Sequence, residues 1–378
     1  MDFGLSEDQE LLQRSAAEFL AGECPPRFVR EVTRDEEGFP RALYRQMGEL
    51  GWMGLIVPEA YGGAGLTFLD LALLVEQLGR AVVPGPFFSS AVLATLAILH
   101  AGTSAQKKAW LPRLATGDVT GALAWLEVSD RLDAAGVAAR ARKSKSAYRL
   151  SGQKLFVTDA HVADVIVAAF RTAGRGANGV TLFLVPRDTP GVTIRPLQSI
   201  DLTRRPMEVR FEDVELPASA VLGAEHKGWR TLARVFDAAA VALAADSLGG
   251  AARALEMAVD YAKVREQFGR PIGGFQALKH IAAEMVSDIE PARSLVWYAA
   301  YAYDAVPREA PRAAAMAKAC LSEVYSRTTN RAVQIHGGIG FTWEHDLHFW
   351  FKRAKWNEFA FGDATYHRER LAQLARFA

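Results

Sequence analysis

Along the first third of the chain, apolar positions recur every three to four residues. Leu11, Leu12, Ser15 and Phe19 trace one helical stripe, opened by Ser6 and Gln9 at capping-box spacing. Leu43, Met47 and Leu50 share a second face. Leu71, Leu74, Val75 and Leu78 share a third, with Thr67 placed to cap that helix. Pro25-Pro26 and Pro84-Gly85-Pro86 break the pattern, the Gly- and Pro-rich stretch 57–66 reads as a loop, and further helices are expected over 89–100 and 106–114. From Gly121 the period shortens to two. Segments of β-type composition cover 123–128, 137–142, 148–150, 155–158, 165–170 and 180–185. Over 207–214, Met207, Val209 and Phe211 alternate with Glu208, Arg210 and Glu212. After Gly228 the helical period returns. Leu255, Val259 and Ala262 form one stripe, and Phe275, Leu278, Ala282, Met285, Ile289, Ala292 and Val296 mark a long helix. Another helix is expected from Pro311 to about Val333. The pattern predicts an α+β chain: an N-terminal helical domain (1–120), a middle antiparallel β domain (121–225) and a C-terminal four-helix bundle (226–378).

Composition narrows the partners. A chain of 378 residues, half of them hydrophobic, can bury a large shared core. The net charge of +1 argues against nucleic acid or an anionic membrane. Cys24 and Cys320 are the only cysteines and have no metal-ligand spacing, so no metal is expected and a reducing compartment is. The acidic start, MDFGLSEDQE, lacks a basic-then-apolar run. Charges interrupt the apolar stretches, Asp237 and Asp246 bracketing the longest. The expectation is a soluble cytoplasmic protein with no membrane span. The basic residues Arg140, Arg142, Lys143 and Lys145 read as a solvated hairpin tip.

Candidate chemistry concentrates in two segments. RAVQIHGGIGF (331–341) follows a long helix; its glycine pair permits positive φ and close approach of a ligand, and Gln334 can both donate and accept. YAKVREQFGRPIGGFQ (261–276) ends another helix about 70 residues upstream. Together, YxxxREQFGxPIxxFQ and VQIHGGIG resemble the acyl-CoA dehydrogenase family, with matches over essentially the whole chain. The resemblance implies an FAD enzyme acting on an acyl-CoA thioester, with an electron-transfer flavoprotein or similar redox partner, assembled as a homo- or heterotetramer (a dimer of dimers). By the motif, Arg265 reaches the FAD diphosphate of a neighbouring subunit, for which a planar guanidinium is suited. Gln267 and Phe268 flank that cofactor, and Gln334, Gly337 and Gly338 face its ADP half. An ion pair of Arg265 with Glu266 or Glu284 is the plainer alternative. KLFVTDA (154–160) resembles the family's K-x-W-I-T-N segment, so Phe156 stands for the tryptophan beside the flavin and Thr158 keeps the hydroxyl near N5. Alternation along a half-buried strand would by itself bury Phe156.

Two departures from the family pattern carry weight. Where the family has T-E-P-x-A-G-S-D, this chain has Leu126-Glu127-Val128-Ser129-Asp130, lacking the threonine, the proline and about three residues of the glycine turn, with Ser129 left as a cofactor contact. The base is missing as well. The family's glutamate position falls on Phe361 and its alternative on Ala239. Asp246 and Asp363 are nearby acids that can be weighed as substitutes. His336 and His367 lie close by and are read as structural. The resemblance therefore implies an acyl-CoA dehydrogenase subunit without its own base, paired with a complete chain and acting on fatty or steroid acyl groups. The alternatives are a self-sufficient homotetramer using an Asp base, and a flavin-free scaffold of the same fold.

Overall fold

A computed structural model describes residues 4–375, so Met1–Phe3 at the acidic start lie outside it. The N-terminal third is helical: α1 (Glu7–Glu23), α2 (Pro26–Arg34), α3 (Arg41–Glu49), α4 (Phe68–Arg80), α5 (Thr95–Ala101) and α6 (Ser104–Thr116). Both predicted caps form as capping boxes, Ser6 with Gln9 and Thr67 with Asp70. Pro26 starts a helix where the sequence predicted only a break, because at the first helical position proline loses no bond it would have made. The turn entering α5 is π-helical over Phe87–Ala94. There Ser89 donates to Asp159 at 2.8 Å and Ser90 accepts from Gly121 N at 3.1 Å, joining this helix to the β domain.

The middle domain is one sheet of β1 (Gly121–Ala124), β2 (Arg140–Ser144), β3 (Ala147–Thr158), β4 (Val165–Arg171), β5 (Val180–Pro186), β6 (Val192–Pro196), β7 (Pro206–Pro217) and β8 (Val221–Leu222). The order is β6-β7-β3-β2-β4-β5-β8, with β1 parallel beside β4 and most other pairings antiparallel. The two segments predicted at 148–150 and 155–158 are a single strand. Its register against β7 shifts between Lys154 and Val157. Phe156 sits in that irregularity at φ +53° and is 57% exposed, so the bulge overrides the alternation that predicted burial.

The C-terminal domain comprises α7 (Gly228–Val264), α8 (Gln276–Ala305), α9 (Ala310–His336), α10 (Leu347–Phe359) and α11 (Ala364–Leu374). Helices α7 and α9 run in the same direction, so Gly250 abuts Tyr325 and Tyr261 stacks on His336. By length and composition α7 alone among the described helices has a window apolar enough to cross a membrane. In the fold 89% of that window is buried by protein, the environment of a core helix. Helices α4 and α7 cross at glycines: a Cβ on Gly79 would lie 2.1 Å from Asp246 O, and one on Gly249 1.8 Å from Glu76 O. Gly249→Ala is therefore expected to destabilise the chain by about 1–3 kcal/mol in urea denaturation, since the clash is with backbone.

Candidate functional site

Arg265 caps the C-terminus of α7, and the chain turns at once into a short hairpin, Glu266–Gln267 against Arg270–Pro271. Phe268 and Gly269 form its tip at positive φ, leaving the Phe268 ring 91% exposed. No described residue pairs with the Arg265 guanidinium. The alternative partner Glu284 instead accepts from Arg331 at 2.7 Å. Because α7 and α9 are parallel, Gln334 lies at the same end of the bundle, within one helical turn of the Tyr261–His336 contact. Gln334, Gly337 and Gly338 are exposed. Gly337 has φ +67°, and nothing stands within 4 Å of where a Cβ on either glycine would be. An apolar slot of about 410 Å³ opens beside them, lined by Ala258, Ala262, Leu278 and Ile335 and rimmed by Lys263 and Lys279. An unpaired guanidinium, an exposed amide, bare glycine backbone and an apolar slot suit the phosphates and flat base of a dinucleotide.

The β-domain side is altered. Phe156 presents an open ring face, and Thr158 is 6% exposed two residues on. Ser129 is exposed in a loop whose neighbour Glu127 turns inward. The Glu127 carboxylate accepts from Ala138 N and Ala139 N, each at 3.0 Å, and from Lys154 Nζ at 2.6 Å. Lys154 is fully buried, and burial pulls its ammonium down to about 8 against the pull of Glu127. The short loop is thus tied back to β2 and β3.

Phe361, which the motif spacing places where the family's glutamate is expected, adopts φ +58°. Its ring sits 5.6 Å from Phe236, 5.9 Å from Phe88 and 5.9 Å from Trp125. The loop is held from behind: His367 Nε2 bonds Phe361 O at 3.0 Å, and Lys318 donates to Gly362 O at 2.8 Å and Glu358 O at 3.1 Å. Burial lowers Lys318 to about 7 and His367 to about 4. A separate small cavity on the Phe88 side, lined also by Val92, Ala242 and Arg204, measures about 10 Å³, room for about one water. Ala239, the alternative position, is fully buried.

Neither candidate acid stands free. Asp246 accepts from Asn357 at 2.7 Å, Arg353 at 2.9 Å and Arg204 at 3.2 Å, all buried. Asp363 accepts from Tyr366 N at 2.8 Å as the N-cap of α11. The sequence reading missed the aromatic cluster, Lys154 and Lys318. A lysine inside the alanine-rich face of α9 was the available signal for the last of these.

Comparison with known proteins agrees with this architecture. Descriptions of the acyl-CoA dehydrogenase N-terminal, middle and C-terminal domains match residues 6–118, 122–214 and 226–375. The chain is 34% identical to a probable acyl-CoA dehydrogenase, YngJ, of Bacillus subtilis over 98% of both chains. It superposes on butyryl-CoA dehydrogenase of Megasphaera elsdenii with a TM-score of 0.93, at 31% identity over the whole of each chain. On the ChsE4-ChsE5 complex of Mycobacterium tuberculosis the TM-score is 0.90, with 27% identity over 100% of each chain. The protein belongs to the acyl-CoA dehydrogenase family, FAD-dependent oxidoreductases that act on acyl-CoA thioesters.

Proposed function

We propose that this chain is the base-lacking subunit of a heterotetrameric acyl-CoA dehydrogenase, built as a dimer of dimers. The observation that carries this reading is the apolar Phe361 ring, packed among Phe88, Trp125 and Phe236 where the motif spacing would put a carboxylate. In dehydrogenation a carboxylate takes the α-proton, and bound FAD accepts the β-hydride. Asp246 and Asp363 are already committed to an ionic network and a helix cap, which speaks against a self-sufficient enzyme using either. The role left to this chain is binding. Arg265, Gln267, Phe268, Gln334, Gly337 and Gly338 would hold the phosphate–adenosine half of FAD belonging to a second, catalytically complete chain. Phe156, Thr158 and Ser129 mark the remnant of this chain's own flavin side. The mycobacterial relative crystallised as a complex of two named chains supports a heteromeric assembly. An electron-transfer flavoprotein as acceptor, fatty or steroid acyl groups as substrates and a cytoplasmic location complete the reading.

The test is purification of this chain alone and with a neighbouring-gene homologue. Full FAD loading with dehydrogenase turnover by the chain alone would sink the proposal. Within the co-purified complex, Arg265→Ala is expected to weaken FAD retention about 10–100-fold, since a charge-assisted bond contributes about 1.5–3 kcal/mol. Flavin absorbance at about 450 nm after gel filtration reads this out. Arg265→Lys should recover only part of it, because an ammonium lacks the bidentate fork.

A further inference from the structure

Rings close the bundle end on which Gln334 and the glycine pair stand. Tyr261 of α7 lies against His336 at 4.5 Å, and His345 meets His336 edge-on at 4.5 Å. His348, in the first turn of α10, packs on Trp343 at 4.9 Å and Phe349 at 4.2 Å. The segment 337–346 is thus slung between His336 and His348, with His345 of the segment itself packed on His336. His336 is 4% and His348 5% exposed. His336 Nδ1 bonds Ala332 O at 2.8 Å, whereas His336 Nε2 and both nitrogens of His348 have no partner. A proton added to either ring would be a buried charge with nothing arranged to accept from it.

The charged groups facing these rings come from three places. Arg30 of α2 donates to Trp343 O and pairs with Asp346. Lys352 of α10 lies 3.6 Å from the Trp343 ring centroid. Glu344 and Asp346 belong to the segment itself, while α7 contributes only the neutral Tyr261. Asp346 is the one acid bearing on His345 and His348, and it is already engaged by Arg30. Protonation therefore meets Arg30 and Lys352 rather than a free carboxylate.

We propose that Gly337–Asp346 is an acid-released latch: protonation of His336, His345 and His348 opens it while α7, α8 and the body of α9 stay folded. Opening displaces Gly337 and Gly338 from beside Gln334, which stays on α9. That consequence for FAD rests on the function proposed above; the opening itself does not. All three imidazoles are held below the ordinary 6.5, burial being the first cause, and His348 is held at about 4. The closed form keeps the rings neutral, so the open form binds more protons once the pH drops below 6.5. The latch is fully held above that value and loses hold as pH falls toward the closed-state values. From His348 alone, opening becomes about tenfold more favourable at a pH of about 5.5.

Hydrogen exchange on the whole protein, corrected for intrinsic rates, tests this between pH of about 7 and 5.5. Protection over 337–348 is expected to fall about tenfold or more while α7 and α8 are unchanged. A flat profile, or loss shared evenly by the whole bundle, would overturn the latch. The double variant His336→Phe/His348→Phe keeps flat rings that take no proton, and should remove most of the pH dependence; an unchanged dependence overturns the proposal. Should that variant not fold, NMR titration of the wild-type imidazoles decides: His336 and His348 titrating at the ordinary value would refute it. In the two-chain complex, FAD release over the same range is expected. Opening without release would count against the cofactor role of Gly337 and Gly338 while leaving the latch standing.

Discussion

Purified alone, the chain is expected to oxidise acyl-CoA at least about 10²–10⁴-fold more slowly than a family member with its glutamate, the range a positioned base contributes. A dye-linked assay with butyryl-CoA and longer thioesters measures it. The expectation follows from two features that fail together. Phe361 offers no proton acceptor, and Ala239 offers none. Asp363→Asn should leave turnover of the two-chain complex unchanged, because an amide oxygen still caps α11. A collapse of that turnover would return Asp363 to the list of bases. Asp246→Asn is a poorer probe, since that carboxylate also holds Arg353, Arg204 and Asn357.

Replacing Arg353 by methionine is expected to destabilise the chain by about 3–5 kcal/mol, among the largest effects of any single substitution. Arg353 is fully buried and binds Asp201 at 2.8 Å, Asp246 at 2.9 Å and Val83 O at 3.2 Å, with Thr203 also in contact. One guanidinium thereby joins α10 to α7, to the loop before β7 and to the chain just after α4, so all three domains meet on it. Methionine matches its length but leaves Asp201 and Asp246 with Arg204 as the remaining buried cation. Denaturant unfolding monitored by tryptophan fluorescence reads the loss. A change of under about 1 kcal/mol would mean that water reaches the network and that the domains are held by apolar contact instead. Arg45→Ala is the control, because Arg45 and Glu49 form an exposed pair at 3.8 Å. No measurable change is expected there.

Helix and strand content was legible because it rests on local rules. Ser6, Thr67 and Pro311 announce helix starts within a few residues, and Met207, Val209 and Phe211 alternate onto a buried face as period two requires. The two motifs that carry the family resemblance are likewise contiguous stretches. The parallel run of α7 and α9 brings both segments to one end of the bundle. Errors arose where a neighbour in space outvoted a neighbour in sequence. Phe156 departs from its expected face through a register shift against β7, a strand about 50 residues away. Asp246 reads as a spare carboxylate along the chain, and only folding brings Arg353 to it from 107 positions downstream.

The amino-acid sequence by itself determined the three-part order of helix, sheet and helix, the Arg265 and Gln334 segments that carry the family resemblance, and the absence of a carboxylate at Phe361 and Ala239. Periodicity, capping and residue identity are local properties, so they survive in one dimension. Tertiary structure alone decided that Lys154, Lys318, Asp246 and Arg353 lie inside, and that Phe361 closes an aromatic cluster. The physical reason is solvation: a charged side chain enters the core only where distant partners replace its water, and those partners exist only once the chain has folded.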